Sequence, residues 1–212
     1  MIDSLPTMNS TALTNALKYL RKDVHLGDVV KKNPKPDFKP ARDVYAALVR
    51  SIVYQQLSGK AAGTILKRFL ALFPDTGYPK PEIVLKMSVA KMRGAGLSGQ
   101  KTAYIKDLSA KFLDGTIEPK KFKVMTDEEI RQHLIAVKGI GRWSADMFLM
   151  SGLNRLDVLP TGDLGIRKGF QKLFKMKTLP DAKKMERLAE PWRPYRTIAS
   201  WYLWRLADED KR

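Results

Sequence analysis

The sequence predicts an all-α fold. Three observations carry that expectation: apolar residues recur at helical spacing, no stretch alternates like a half-buried strand, and capping residues or Gly/Pro breakers separate the periodic segments. The first amphipathic segment carries Leu13, Ala16, Leu17 and Leu20. It is followed by Lys31-Lys32-Asn33-Pro34-Lys35-Pro36, whose prolines and charges forbid continued helix and mark a candidate lobe boundary. From Val44 to Tyr54 the chain is apolar nearly all round, as a central buried helix would be. Ala61, Ile65, Leu66, Phe69 and Phe73 are expected to line the next helix. Short helices are expected at about Pro81–Lys86 and Ser88–Arg93, then a longer one over Gln100–Leu113, where Ile105, Leu108 and Phe112 repeat at helical spacing.

At 212 residues with 44% apolar content, the chain can bury one substantial core or those of two small helical lobes. Lys and Arg number 39 against 22 Asp and Glu, a net charge of +17, which points first to a polyanion and so to nucleic acid. Cysteine is absent, which excludes disulfides, thiolate nucleophiles, Cys-type zinc sites and iron–sulfur clusters. His25 and His133 have no ligand-like spacing and are assigned no role. No apolar stretch approaches bilayer-spanning length and no leader pattern opens the chain, so no membrane association is expected. The expected location is intracellular, the nucleus in a eukaryote or the cytoplasm in a bacterium.

Thr126-Asp127-Glu128-Glu129 is a capping-box pattern that starts a helix whose inner face is Ile130, Leu134 and Val137. Gly139 stops it, and a second helix is expected from about Trp143 to Ser151. Between them, Val137-Lys138-Gly139-Ile140-Gly141-Arg142-Trp143 reads as a tight hairpin. Its two glycines permit positive φ and leave backbone N–H groups uncovered, so that a phosphate can approach the second helix. Alone, a Gly-x-Gly turn is equally consistent with a purely structural turn.

The order of motifs is more specific. The hairpin is followed by Leu156-Asp157-Val158-Leu159-Pro160-Thr161-Gly162-Asp163, then by Pro191-Trp192-Arg193-Pro194-Tyr195-Arg196 and an aromatic terminal helix. In this order the chain, from about residue 40 to 206, resembles the helix-hairpin-helix DNA glycosylase superfamily, specifically its alkylbase (3-methyladenine) branch. The resemblance implies two helical lobes with a DNA-binding cleft. It also implies excision of alkylated purines such as 3-methyladenine from duplex DNA, leaving an abasic site. The corresponding division is residues 1–42 and 157–212 as one discontinuous lobe and 43–156 as the central lobe, with the hairpin motif at 126–151.

The resemblance also suggests roles for individual residues. Asp163 matches the family's catalytic carboxylate, which would stabilise an oxocarbenium-like sugar and orient or deprotonate water; the local pattern equally makes it the N-cap of the helix carrying Ile166, Phe170, Leu173 and Phe174. Trp143 stands where members that also cut the backbone carry a lysine, which implies hydrolysis without a Schiff base. Its indole would stack on an extruded base or pack the hairpin against the core. Trp204 aligns with an aromatic pocket wall attractive to cationic bases, or is core, while Trp201 and Trp192 read as packing. Leu57, after Gln55-Gln56, matches the family's intercalating wedge, with an interhelix core position as the other reading. Gly139, Gly141, Arg142, Ser144, Lys60 and Lys101 are candidate contacts to the DNA backbone. No cofactor is required by this chemistry; backbone carbonyls of Ile135, Val137 and Gly139 are a candidate site for a structural monovalent cation. The expected partner is double-stranded DNA with a damaged base or an abasic site, bound by a monomer. Two other readings remain open: a non-catalytic homologue that binds distorted or abasic DNA, and a general helix-hairpin-helix structural module, for which Asp163 and the aromatic helix have no purpose.

Overall fold

A computed structural model of the chain describes residues 7–74 and 77–209. In chain order the helices begin with α1 (Ser10–Leu20), α2 (Gly27–Lys32), α3 (Val44–Tyr54) and α4 (Gly59–Leu70). They continue with α5 (Pro81–Lys86), α6 (Val89–Gly94), α7 (Gly99–Leu113) and α8 (Asp127–Ile135). The last four are α9 (Arg142–Met147), α10 (Leu164–Leu173), α11 (Ala182–Ala189) and α12 (Arg196–Asp208). Among the described residues there is no strand, only an isolated bridge between Thr7 and Arg155, so the all-α expectation holds. No helix among the described residues is long and apolar enough to cross a membrane. The chain forms two compact units, residues 41–148 and residues 7–40 with 149–209.

In the first unit, Asp43, Ser58, Ser88 and Ser98 each accept a backbone N–H three residues on and so start α3, α4, α6 and α7. Helix α3 is the core helix: Leu48, Val49, Ile52 and Val53 are buried, and the helix packs on α4 and α7. The Tyr45 hydroxyl meets Ser109 Oγ at 2.7 Å, a buried polar pair that fixes α3 against α7. The capping box at Thr126 forms as expected: Glu129 N–H donates to Thr126 Oγ1 at 3.2 Å and Thr126 N–H to Glu129 Oε2 at 2.7 Å. Helices α8 and α9 are tied by a buried ion pair, Arg131 Nε to Asp146 Oδ1 at 2.8 Å. Burial raises the Asp146 pKa even though Arg131 opposes the shift, so the pair sits where desolvation is severe.

The second unit is built on α10 and α12, with Ile166, Phe170, Ile198, Ala199, Tyr202 and Leu203 in one buried cluster. The helices approach closely because Gly169 lies against the backbone of Leu203; a Cβ there would sit 2.5 Å from the Leu203 carbonyl oxygen. Trp192 is fully buried and stacks on Phe170 with ring centroids 5.3 Å apart, which makes it packing, as expected. Two devices fasten the segment before Asp163 to the start of α12. Arg196 donates to the Asp157 carboxylate from Nε at 2.7 Å and from Nη2 at 2.9 Å, a bidentate pair. Thr197 Oγ1 donates to the Arg155 carbonyl at 2.6 Å and accepts the Val158 N–H at 3.0 Å.

Several elements differ from the sequence expectation. The second hairpin helix starts at Arg142 and, as an α-helix, ends at Met147; a π-helical turn, Phe148–Gly152, follows. In α4 the expected stripe holds at Phe69, which is buried with Phe73 just beyond the helix, and at the half-buried Ile65 and Leu66; only Ala61 departs from it, facing solvent while Ala62 is buried. Helices α2 and α11 were not anticipated. The first is six residues long and ends just before Asn33-Pro34; the second carries Ala182, Met185, Leu188 and Ala189 at helical spacing behind the Asp181 N-cap, a pattern present in the sequence.

Removing one partner of a desolvated pair leaves an uncompensated charge. Arg131→Met should therefore lower the unfolding free energy by about 3 kcal/mol. Arg131→Met combined with Asp146→Leu should recover most of that loss, as measured by urea denaturation.

Candidate functional site

The hairpin takes the conformation that its glycines allow, but only at one of them. Gly139 has φ +81°, whereas Gly141 is extended at φ −92° and serves as the N-cap of α9, without a side-chain cap. Beneath Gly139 lies the ring of Tyr104, so close that a Cβ on Gly139 would be 2.1 Å from Tyr104 Cδ2. Two further bonds hold the turn. Lys138 N–H donates to Asp107 Oδ2 at 2.8 Å, and the Gly139 carbonyl accepts Gln55 Nε2 at 2.9 Å. Arg142 is exposed, its guanidinium 3.7 Å from Glu128 Oε2, and Ser144 is buried.

Beside the turn is a concavity of about 620 Å³ lined by Tyr54, Gln55, Gln56, Lys101, Tyr104 and Trp143 among others. Among the described residues that line it none is acidic, so it offers aromatic faces, amides and an ammonium. Trp143 is 48% exposed, which disposes of the core-packing reading for this indole. Leu57 is 39% exposed in the loop between α3 and α4, just after Gln56 at φ +55°, and so is not an interhelix core residue. Lys60 is exposed in the first turn of α4. Lys101 differs from expectation: its ammonium donates to the carbonyls of Val53 and Gln55, both at 2.7 Å, and burial lowers its pKa. Its charge thus satisfies the open C-terminal end of α3 instead of standing free for a phosphate.

The carbonyls expected to hold a monovalent cation are a suitable donor type, yet Gly139 O accepts from Gln55 and Val137 O accepts the Ile140 N–H at 3.1 Å. A carbonyl oxygen has two lone pairs, so each of these bonds leaves part of its acceptor capacity uncommitted.

In the second unit Asp163 is the N-cap of α10: Oδ1 accepts the Ile166 N–H at 2.8 Å. The same oxygen accepts the indole N–H of Trp204, also at 2.8 Å. Gly165 makes room for that indole, since a Cβ there would be 2.7 Å from Trp204 Cδ1. Trp204 is half-buried, and Trp201 carries the guanidinium of Arg205 at 4.4 Å over its ring. The cap and the indole together fix one carboxylate oxygen with two N–H donors.

The family model described as HhH-GPD superfamily base excision DNA repair protein matches residues 49–194. The chain belongs to this superfamily. It is 36% identical over 174 residues to the DNA-3-methyladenine glycosylase 1 of Schizosaccharomyces pombe, covering 80% of this chain and 76% of that protein. It is 30% identical over 203 residues to the alkylbase DNA glycosidase-like protein mag2 of the same organism, covering 89% and 93%. Two solved structures are similar. The S. pombe 3-methyladenine DNA glycosylase (Mag1) in complex with abasic DNA has a TM-score of 0.78 at 33% identity, covering 90% of this chain and 95% of that one. The DNA-3-methyladenine glycosidase of Bacillus halodurans has a TM-score of 0.82 at 32% identity, covering 92% and 90%.

Sequence reasoning missed Tyr104, the bond from Gln55 to Gly139, and the bond from Trp204 to Asp163. One signal was available for the first: Lys101, Tyr104 and Asp107 recur every three residues on α7, a stripe beside the buried face of Ile105 and Leu108. Because Gly139 combines a left-handed backbone with an occupied Cβ position, Gly139→Ala should lower stability by at least about 2 kcal/mol. Truncating the ring in a Gly139→Ala, Tyr104→Ala protein should relieve the clash but not the backbone strain, which thermal unfolding of the single and double variants would resolve.

Proposed function

We propose that this chain is a monofunctional DNA-3-methyladenine glycosylase of base excision repair, which flips an alkylated purine from duplex DNA and hydrolyses its N-glycosidic bond, leaving an abasic site. The observation that carries this reading is the Asp163 carboxylate, oriented by two N–H donors at 2.8 Å, in a chain similar over 80% of its length to a DNA-3-methyladenine glycosylase.

The chemistry follows from the bond being broken. The C1′–N bond cleaves with its electron pair leaving on the base; an alkylated purine that carries positive charge departs as a neutral molecule. The sugar becomes oxocarbenium-like, and a fixed negative charge stabilises it without reorganisation at the moment of reaction. Water adds to C1′ and gives up a proton, which a carboxylate can accept or direct. Position 143 holds Trp and not Lys, so the reaction is hydrolysis, with no amine there to form a Schiff base. In the proposal Trp143 supplies a stacking face for the extruded base, Leu57 fills the gap left in the duplex, and the hairpin N–H groups with Arg142 and Lys60 hold the phosphate backbone. Ser144 contributes through its backbone N–H near the start of α9, since its side chain is buried.

Asp163→Asn tests the reading, because Asn keeps an oxygen that can accept from Ile166 and Trp204 but has no charge. Thermal stability should be unchanged, while single-turnover release of 3-methyladenine should fall by about a hundredfold. Unchanged release would reduce Asp163 to a cap, and no release by either protein would instead favour a DNA-binding homologue without turnover. Trp204→Phe, which keeps an aromatic ring but loses the N–H, should slow release by about tenfold, less than the loss of the charge itself.

A further inference from the structure

We infer that Lys101 and Gln55 are positioning residues that lock the Leu57 loop to the hairpin, so that the duplex wedge and the backbone grip move as one piece; this rests on the wedge role proposed for Leu57. The geometry is a continuous chain of bonds within the first unit. Lys101 Nζ draws together the carbonyls of Val53 and Gln55 at 2.7 Å each, which closes the end of α3. Gln55 then reaches with Nε2 to the Gly139 carbonyl at 2.9 Å. Gln56 follows in a left-handed conformation at φ +55°, a strained state for a non-glycine residue that persists only when its surroundings over-determine it. Leu57 projects from the loop so formed. On α7, Tyr104 and Asp107 continue the stripe begun by Lys101: one ring packs under Gly139 and one carboxylate accepts the Lys138 N–H at 2.8 Å. A single helix thus touches both the wedge loop and the hairpin.

The physical consequence concerns when free energy is lost. Inserting an apolar side chain into a base stack succeeds only if the side chain is already placed; a loop that must be ordered first slows the step by that ordering term. The distances support the assignment, since an ammonium held 2.7 Å from each of two carbonyls has two of its three N–H donors committed to the loop. An ammonium that served the phosphates instead would be expected to stand in solvent.

The test uses the full chain and three variants. Lys101→Met keeps the length of the side chain and removes the donors, Lys101→Arg restores donors, and Gln55→Met cuts the link to Gly139 alone. In the DNA-free protein, hydrogen exchange at residues 56–58 and 139–140 should rise about tenfold in Lys101→Met, with the thermal midpoint within a few degrees of wild type. Lys101→Arg should restore protection, and Gln55→Met should raise exchange at 139–140. With DNA, Lys101→Met should slow single-turnover excision from a fully paired site about tenfold and from a site opposite a gap by less than threefold. It should add no further slowing to Leu57→Ala, because both act on the same step. Exchange unchanged at both segments would overturn the inference. So would slowing that adds to that of Leu57→Ala together with a salt-dependence slope smaller by about one, the mark of a lost phosphate contact. If Leu57→Ala alone left excision unchanged, the wedge reading would fail, while the exchange data on the free protein would still decide the brace. If Lys101→Met did not fold, Gln55→Met with the same exchange readout would decide it.

Discussion

The left-handed backbone at Gly139, pressed onto the ring of Tyr104, is the constraint on which the surface of the first unit depends. A hairpin between two helices leaves N–H groups of the second helix open and carbonyls of the first unsatisfied. At Gly139 the carbonyl goes to Gln55 and the ring of Tyr104 removes any room for a side chain. What remains outward is backbone, whose N–H groups can approach a phosphate closely while carrying no preference for a base. The ion pair of Arg131 with Asp146 sets the angle of the helices that carry this turn, and its buried position explains why it is a specific link and not one of many exchangeable surface contacts.

The second unit solves a different problem with similar economy of parts. In the proposed reaction a carboxylate faces a developing cation, and its orientation has to be set before the base leaves. At Asp163 the first turn of α10 and the indole of Trp204 hold Oδ1 together. The cap, commonly a device of helix stability, here becomes a device of orientation, and Gly165 is the residue whose small size lets the indole in. The bidentate Arg196–Asp157 pair and the Thr197 bonds fasten the strand-like segment from Arg155 to Val158, so the loop that ends in Asp163 starts from a rigid base.

Helices whose boundaries are written in single residues were legible in the sequence: Thr126 with Glu129 for α8, Pro81 for α5, and the apolar run of α3. Helix α2 was not, since six residues before Asn33-Pro34 hold less than two turns of pattern, whereas α11 had its Asp181 cap and a stripe of Ala182, Met185, Leu188 and Ala189 and was passed over. In the site, the residues proposed to act on a partner were nameable from motif order, and their exposure in the structure suits that proposal: Trp143 and Leu57 are both substantially open to solvent. The residues that hold these in place were not nameable. Tyr104 lies 35 positions from Gly139 in sequence, and Trp204 lies 41 from Asp163, so no local pattern joins them. Lys101 was misread for a related reason: a lysine two residues into a helix looks like a phosphate ligand until the carbonyls that it caps, 46 and 48 residues earlier, are seen.

That misreading has a wider bearing on the charge of the chain. A net +17 argues for a polyanionic partner, but it counts every cation equally. Lys106 and Lys172 donate to the carbonyls of Leu85 and Leu206, Arg131 is paired inside the hairpin, and Arg193 and Arg196 share Asp157. These cations already hold parts of the fold, so those paired with carboxylates have their charge compensated and the rest have part of their donor capacity committed. The electrostatic footprint is therefore smaller than the composition implies, and it is set by the exposed cations that have no carbonyl or carboxylate to satisfy. A protein built this way keeps its long-range attraction for a duplex, which depends on total charge, while its short-range grip depends on few positions. In the proposed binding mode, that separation would let the hairpin and the wedge, and not the sum of the lysines, determine where on the duplex the chain comes to rest.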